Sequence, residues 1–186
     1  MADRDDARLR EEGFTLIELL VVLLIIGILL AIAIPTFLTA TNSTNNTAAQ
    51  ADLKTALTGA DTYYVQAANQ TYSYLDSSAS TTSNISQIGT GVVYVSGTTS
   101  AASSTGPHVV SVYVPSSGNA VVLTALAKGS LDCWGIVDIK VPLSLALDGE
   151  SQVGTYYFVA RHSSATSCIA SQVTPSAISP TSFPGP

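Results

Sequence analysis

The sequence predicts an α+β protein in which a long N-terminal helix packs on an antiparallel β-sheet. Three observations carry this prediction. An almost unbroken apolar run extends from Phe14 to Ile34. Further on, Leu53, Ala56, Leu57, Ala60, Tyr63, Tyr64 and Ala67 recur at 3,4-spacing, the signature of one apolar helix face. Beyond that stripe, short segments rich in Val, Tyr and Ile alternate with clusters of Gly, Pro, Ser and Asn, as strands and tight turns do.

The 186 residues leave room for one modest domain plus an anchor. Only 11% of them are charged, against about a quarter in an ordinary soluble domain. The net charge of −6 gives no electrostatic footprint for nucleic acid. Arg4, Arg8 and Arg10 precede the apolar run, and the next basic residue is Lys54. Lys and Arg collect on the cytoplasmic side of a membrane span. The N-terminus is therefore expected to stay in the cytoplasm and the remainder to be exported.

The run from Phe14 to Ile34 is long enough to cross a bilayer core, which takes about 20 helical residues. Its unusual member is Glu18. A carboxylate inside a membrane helix costs roughly 2.5–3.5 kcal/mol on insertion scales. A plain signal anchor explains the length and orientation of the run but leaves Glu18 unexplained. A cleaved secretory signal is a second reading, since Ala31-Ile32-Ala33 has the small-x-small form of its cleavage site. The apolar region is longer than the usual stretch of about 7–15 residues, however, and carries a carboxylate. A third reading is a cut between Gly13 and Phe14. That cut creates a cationic α-amino group close in sequence to Glu18. Between subunits stacked in a filament, the amine of one can neutralise Glu18 of the next, and a desolvated charge is tolerated when paired.

Gly13 followed by Phe14-Thr15-Leu16-Ile17-Glu18-Leu19-Leu20 resembles the class III signal of the type IV pilin family. The resemblance covers about the first third of the chain. It implies a pilin-like fold, a helical stem carrying a sheet head. It also implies a prepilin peptidase that cuts after Gly13 and N-methylates Phe14, with Glu18 as the assembly carboxylate. Gly27 and Pro35 match the family's helix-weakening positions. The implied partners are the peptidase, the inner-membrane pilus assembly machinery and further copies of the chain in a helical filament. One departure stands out. The leader, residues 1–13, holds Asp3, Asp5, Asp6, Glu11 and Glu12 against three Arg, whereas family leaders are usually net basic.

Past the membrane segment, Pro35 lacks an amide hydrogen and favours a helix end or kink. Thr39 to Thr47 is poor in helix formers. The later stripe restores helical periodicity. The expectation is one long helix over residues 14–66, membrane-spanning over 14–34, bent or loosened between Gly27 and Thr47, and about 80 Å long.

The head is expected over residues 67–186. Gln66 to Gly91 reads as a connecting loop. Strands are expected at Val92–Ser96, Val109–Val114, Ala120–Ala127, Cys133–Val141 and Thr155–Arg161. Ser117-Gly118-Asn119 and Asp148-Gly149-Glu150 read as turns. Together they suggest an antiparallel meander with one face on the helix stripe. Cys133 and Cys168 either form a disulfide, which export permits, or remain two buried thiols. The family resemblance implies the disulfide. Trp134 is expected to pack against it. The tail, residues 174–186, contains Pro175, Pro180, Pro184 and Pro186 and is expected to be mobile or loosely draped.

The sequence holds little catalytic chemistry. There is no Gly-x-Ser-x-Gly elbow, no cysteine pair at zinc spacing and no phosphate-binding glycine loop. His108 and His162 are read as surface residues at strand edges. Asp132, Asp138, Asp148 and Glu150 lack the regular spacing of a calcium loop. The N-x-S/T triplets at Asn42, Asn45, Asn69 and Asn84 arise readily in a chain so rich in Asn, Ser and Thr. No cofactor, metal or enzymatic activity is expected. The expected function is a structural pilus subunit in adhesion or motility, membrane-held as a precursor and then part of a cell-surface filament. The alternatives are a pseudopilin of a secretion system, a minor pilin for DNA uptake, or a membrane-anchored extracellular binding domain.

Overall fold

The computed structural model describes residues 13–67, 70–75, 85, 91–98, 104, 106, 108–161 and 168–184. Helix α1 spans Leu16–Gln66. Six strands follow: β1 Val93–Ser96, β2 Val109–Tyr113, β3 Ala120–Ala127, β4 Asp132–Ile139, β5 Gly154–Ala160 and β6 Ala177–Ser179. The chain divides into two units, Met1–Ala40 and Thr41–Pro186.

In the first unit the apolar side chains are exposed, with Leu16, Ile17, Leu24 and Ile32 each more than half accessible. Among the described residues, α1 is long and apolar enough to cross a membrane. The helix does not end at Pro35. The Thr36 hydroxyl donates toward the carbonyls of Ile32 and Ala33 at 3.1 and 3.0 Å, and Thr39 donates to that of Pro35 at 3.0 Å. These hydroxyls serve carbonyls in the turns around the proline, a known way for Ser and Thr to sit within a helix. Thr47, Thr55, Thr58 and Thr62 bond back to carbonyls four residues earlier in the same manner.

In the second unit, Ala49, Leu53, Ala56 and Ala60 form the buried face of α1, with Leu57, Tyr63 and Tyr64 partly buried beside them. Small residues at this face let the helix axis come close to the sheet. They pack on Val110, Val112, Val121, Leu123, Trp134, Ile136 and Val159. The opposite face of the same sheet has its own core, built from Val122, Cys133, Val137, Ile139, Phe158, Cys168 and Ala170. β3 and β4 are consequently buried along their whole length.

The strand order is β1-β2-β3-β4-β5-β6. Four of the pairings are antiparallel, as the meander requires. The first departs from expectation: β1 pairs parallel with β2, with Val93 opposite Val109. A parallel pair needs a crossover rather than a tight hairpin, which the long, Ser/Thr-rich connection over 97–108 allows.

Two further expectations are corrected. The described part of the proline-rich tail, residues 174–184, is not loosely draped. Its residues Ala177–Ser179 pair with β5, and Phe183 packs edge-on against Trp134 and Tyr157 at ring distances of 5.7 and 5.0 Å. One partly buried aromatic and one short ladder outweigh the disordering composition. Trp134 does not pack on the disulfide. Neighbouring residues on a strand point to opposite faces, so Cys133 joins the far-face core while Trp134 faces α1.

Candidate functional site

Gly13, Phe14 and Thr15 lie outside the helix, immediately ahead of its first residue, Leu16. Gly13 is exposed, and a Cβ built on it would touch nothing within 4 Å. Phe14 is 87% exposed. The backbone over 13–15 is exposed and not helical. The rest of the leader, residues 1–12, lies outside the described residues.

Glu18 is fixed by Thr15. The Thr15 N–H donates to Glu18 Oε2 at 2.9 Å, and the Thr15 hydroxyl donates to the same oxygen at 2.7 Å. In return, the Glu18 N–H lies 3.3 Å from Thr15 Oγ1. This is a capping box: the residue before the helix and the third helical residue satisfy each other's orphan groups. The Thr-x-x-Glu pattern is readable in the sequence as a helix start. Reading Glu18 only as an isolated carboxylate misses it. Thr15 is therefore a site residue that spacing alone could have identified. Gly27 and Pro35 both lie inside α1, which runs through them.

In the second unit, polar ties join α1 to the sheet and to the loops beside it. Asn46 Oδ1 accepts from Trp134 Nε1 at 3.1 Å and from the Ser130 hydroxyl at 2.7 Å. The Tyr63 hydroxyl donates to the Ser73 carbonyl at 2.8 Å. His108 Nδ1 lies 2.9 Å from Asp52. The largest tie centres on Asp138, whose side chain is 3% exposed. It accepts from the Tyr72 hydroxyl, from Thr155 Oγ1 at 2.7 Å and from Lys140 Nζ at 3.0 Å. Lys140 also reaches Asp61 of α1 at 2.8 Å. Burial, reinforced by the Asp138 carboxylate, drives the Tyr72 hydroxyl far above the usual phenol range. Burial pulls Lys140 down, but its bonds to Asp61 and Asp138 outweigh that and raise it overall. Each charged group in this network is paired, which is what a buried carboxylate needs. None is left free to act as base or nucleophile.

The four acids weighed as a calcium set are dispersed. Asp138 belongs to the network just described, and Asp148 and Glu150 sit in the turn before β5. Among the described residues, no three His, Cys, Asp or Glu side chains gather where they could hold a metal ion. His162, Asn69 and Asn84 lie outside the described residues. Cys133 and Cys168 are bonded, 35 residues apart in sequence, and their disulfide lies in the far-face core.

Residues 8–34 match the prokaryotic N-terminal methylation motif. The chain thus carries a type IV pilin-like class III signal peptide, and this motif supports a type IV pilin-like or pseudopilin protein. The pilin-type family that carries this motif is a structural one. It implies a prepilin peptidase substrate that assembles in a pilus-like system, with the apolar helix as membrane anchor of the precursor. No curated protein and no solved structure gives a significant match to the chain.

Proposed function

We propose that this chain is the precursor of a structural subunit of a type IV pilus filament, working in adhesion or motility. The observation that carries the reading is the methylation motif over residues 8–34, in which Gly13–Phe14 precedes the helix and Glu18 occupies its first turn. The peptidase cuts Gly13–Phe14, releases the leader and methylates the Phe14 amine. Among the described residues a Gly13 Cβ would meet nothing within 4 Å, so the demand for glycine is assigned to the peptidase. The apolar helices then leave the lipid for a bundled filament core. Their surface stays out of water throughout, first against lipid and then against neighbouring copies. In the core the Phe14 amine of one subunit neutralises Glu18 of the next, which sets the stagger between helices. Arg4, Arg8 and Arg10 keep the leader cytoplasmic before the cut.

Mass spectrometry of the mature N-terminus tests this reading. A first residue of Phe14 bearing one added methyl group is expected. A start at Met1, Ala2 or Ile34 would overturn it. The same signal begins pseudopilins, and imaging of native surface filaments with an antibody to the head separates the two: labelled filaments are expected for a pilin.

A further inference from the structure

The sheet face turned away from α1 ends in a pocket that the assembly reading does not use. Tyr113 at the end of β2, the 115–119 turn and the 142–147 loop line an open hollow of about 400 Å³. That is within the range of small-molecule sites, roughly 300–1,000 Å³. Its walls are held from behind by backbone bonds. The Gly118 N–H donates to Pro115 O at 2.9 Å, Tyr72 N–H to Gly118 O at 2.8 Å, Lys140 N–H to Asn119 O at 2.9 Å and Leu143 N–H to Ser151 O at 2.8 Å. The pocket is thus formed before any ligand arrives, which lowers the ordering cost of binding.

Its lining has a specific chemistry. Among the described residues, no Asp, Glu, Lys, Arg or His contributes to it. Among the described residues, the hydroxyls of Tyr113, Ser116 and Ser144 and the carboxamide of Asn119 make no hydrogen bond within the protein. Pro115 and Leu145 add apolar surface, Leu145 being 82% exposed. A charged ligand would find no opposite charge here to offset its desolvation. A wholly apolar one would cover the unspent hydroxyls and amide and leave them unpaired. A neutral polyol with one C–H face answers both conditions. Its hydroxyls donate and accept as these side chains do, and its apolar face lies on the Tyr113 ring.

We propose that this pocket binds a neutral saccharide. The pocket lies within one chain, so its occupancy is read without a filament and stands or falls separately from the assembly reading. The full-length protein in lipid nanodiscs, free of sugar-headed detergent, is titrated with neutral oligosaccharides built from glucose, galactose, mannose and their N-acetylamines. Glucuronic acid serves as the charged control, and binding is followed by saturation-transfer NMR. At least one neutral member is expected to bind with a Kd of about 1 mM or tighter. Asn119→Ala, and Ser144→Tyr, which fills the pocket from an exposed position, are each expected to weaken it about tenfold or more. An unchanged melting temperature in Ser144→Tyr separates loss of the site from loss of the fold. Absence of binding by every neutral member, binding that both variants leave intact, or preference for glucuronic acid overturns the proposal.

Discussion

Glu18 carries two duties that substitution can separate. One is local: it closes the capping box with Thr15. The other is the proposed pairing with a neighbour's amine. Thr15→Ala removes the cap, a loss of about 0.5–2 kcal/mol, yet leaves the carboxylate. It should lower helicity at the N-terminus while filaments still form. Glu18→Ala should leave peptidase cleavage intact and abolish incorporation, as read by immunoblots of processed subunit against sheared filaments. Normal filaments from Glu18→Ala would defeat the pairing. A second residue-scale test is Asp148. One of its carboxylate oxygens is buried without a partner, and burial pushes its pKa up from 3.8 to about 7. The native state therefore holds its proton more tightly than the unfolded chain. Stability is fullest below the unfolded value and falls as pH rises toward about 7. Asp148→Asn cannot ionise and tolerates the left-handed backbone at this position (φ 48°). It should stabilise the protein by on the order of 1–3 kcal/mol at about pH 8 and change little near pH 4. Thermal melts at the two pH values decide it, and equal effects at both would refute the burial argument.

At the scale of elements, β4 depends on a side chain that is missing. Gly135 stands opposite Phe158 on β5, and a Cβ there would come within 2.0–2.5 Å of the Phe158 ring. The ring uses the space over the glycine. Gly135→Ala must push it out of the far-face core, at a cost of about 1–3 kcal/mol. Urea unfolding should show this as a lower midpoint at unchanged slope, and Phe158→Leu in the same background should recover part of the loss. Strand positions were legible from Val, Tyr and Ile runs to within two residues. β6 was not, because Ala177–Ser179 is short and set among prolines. It forms because Phe183 is captured by Trp134 and Tyr157, a long-range contact that local composition does not encode.

At the scale of the whole molecule, attachment of the Thr41–Gln66 part of α1 to the sheet depends on paired charge as well as apolar burial. Among the described residues, Lys140 is the only cation on Asp138, and it also holds Asp61. Lys140→Met should cost about 3 kcal/mol by leaving Asp138 buried beside a second carboxylate. Adding Asp138→Asn should recover much of it. A double-mutant cycle in chemical denaturation measures the coupling, and simple additivity of the two changes would show that the network carries none.

The sequence by itself determined the anchor, the methylation motif and the class of fold. These depend on local features: an apolar run long enough for a bilayer, one glycine beside it, and two hydrophobic periods that differ between helix and strand. The helix stripe and most of the strands followed from the same periodicities. Tertiary structure decided what local patterns do not carry. It set the parallel pairing of β1 with β2, the opposite faces taken by Cys133 and Trp134, the return of Phe183 onto the core, and the meeting of Asp61, Tyr72, Asp138 and Lys140. Each of these joins residues distant in sequence. Their energies come from excluding water between surfaces that only the finished fold brings together.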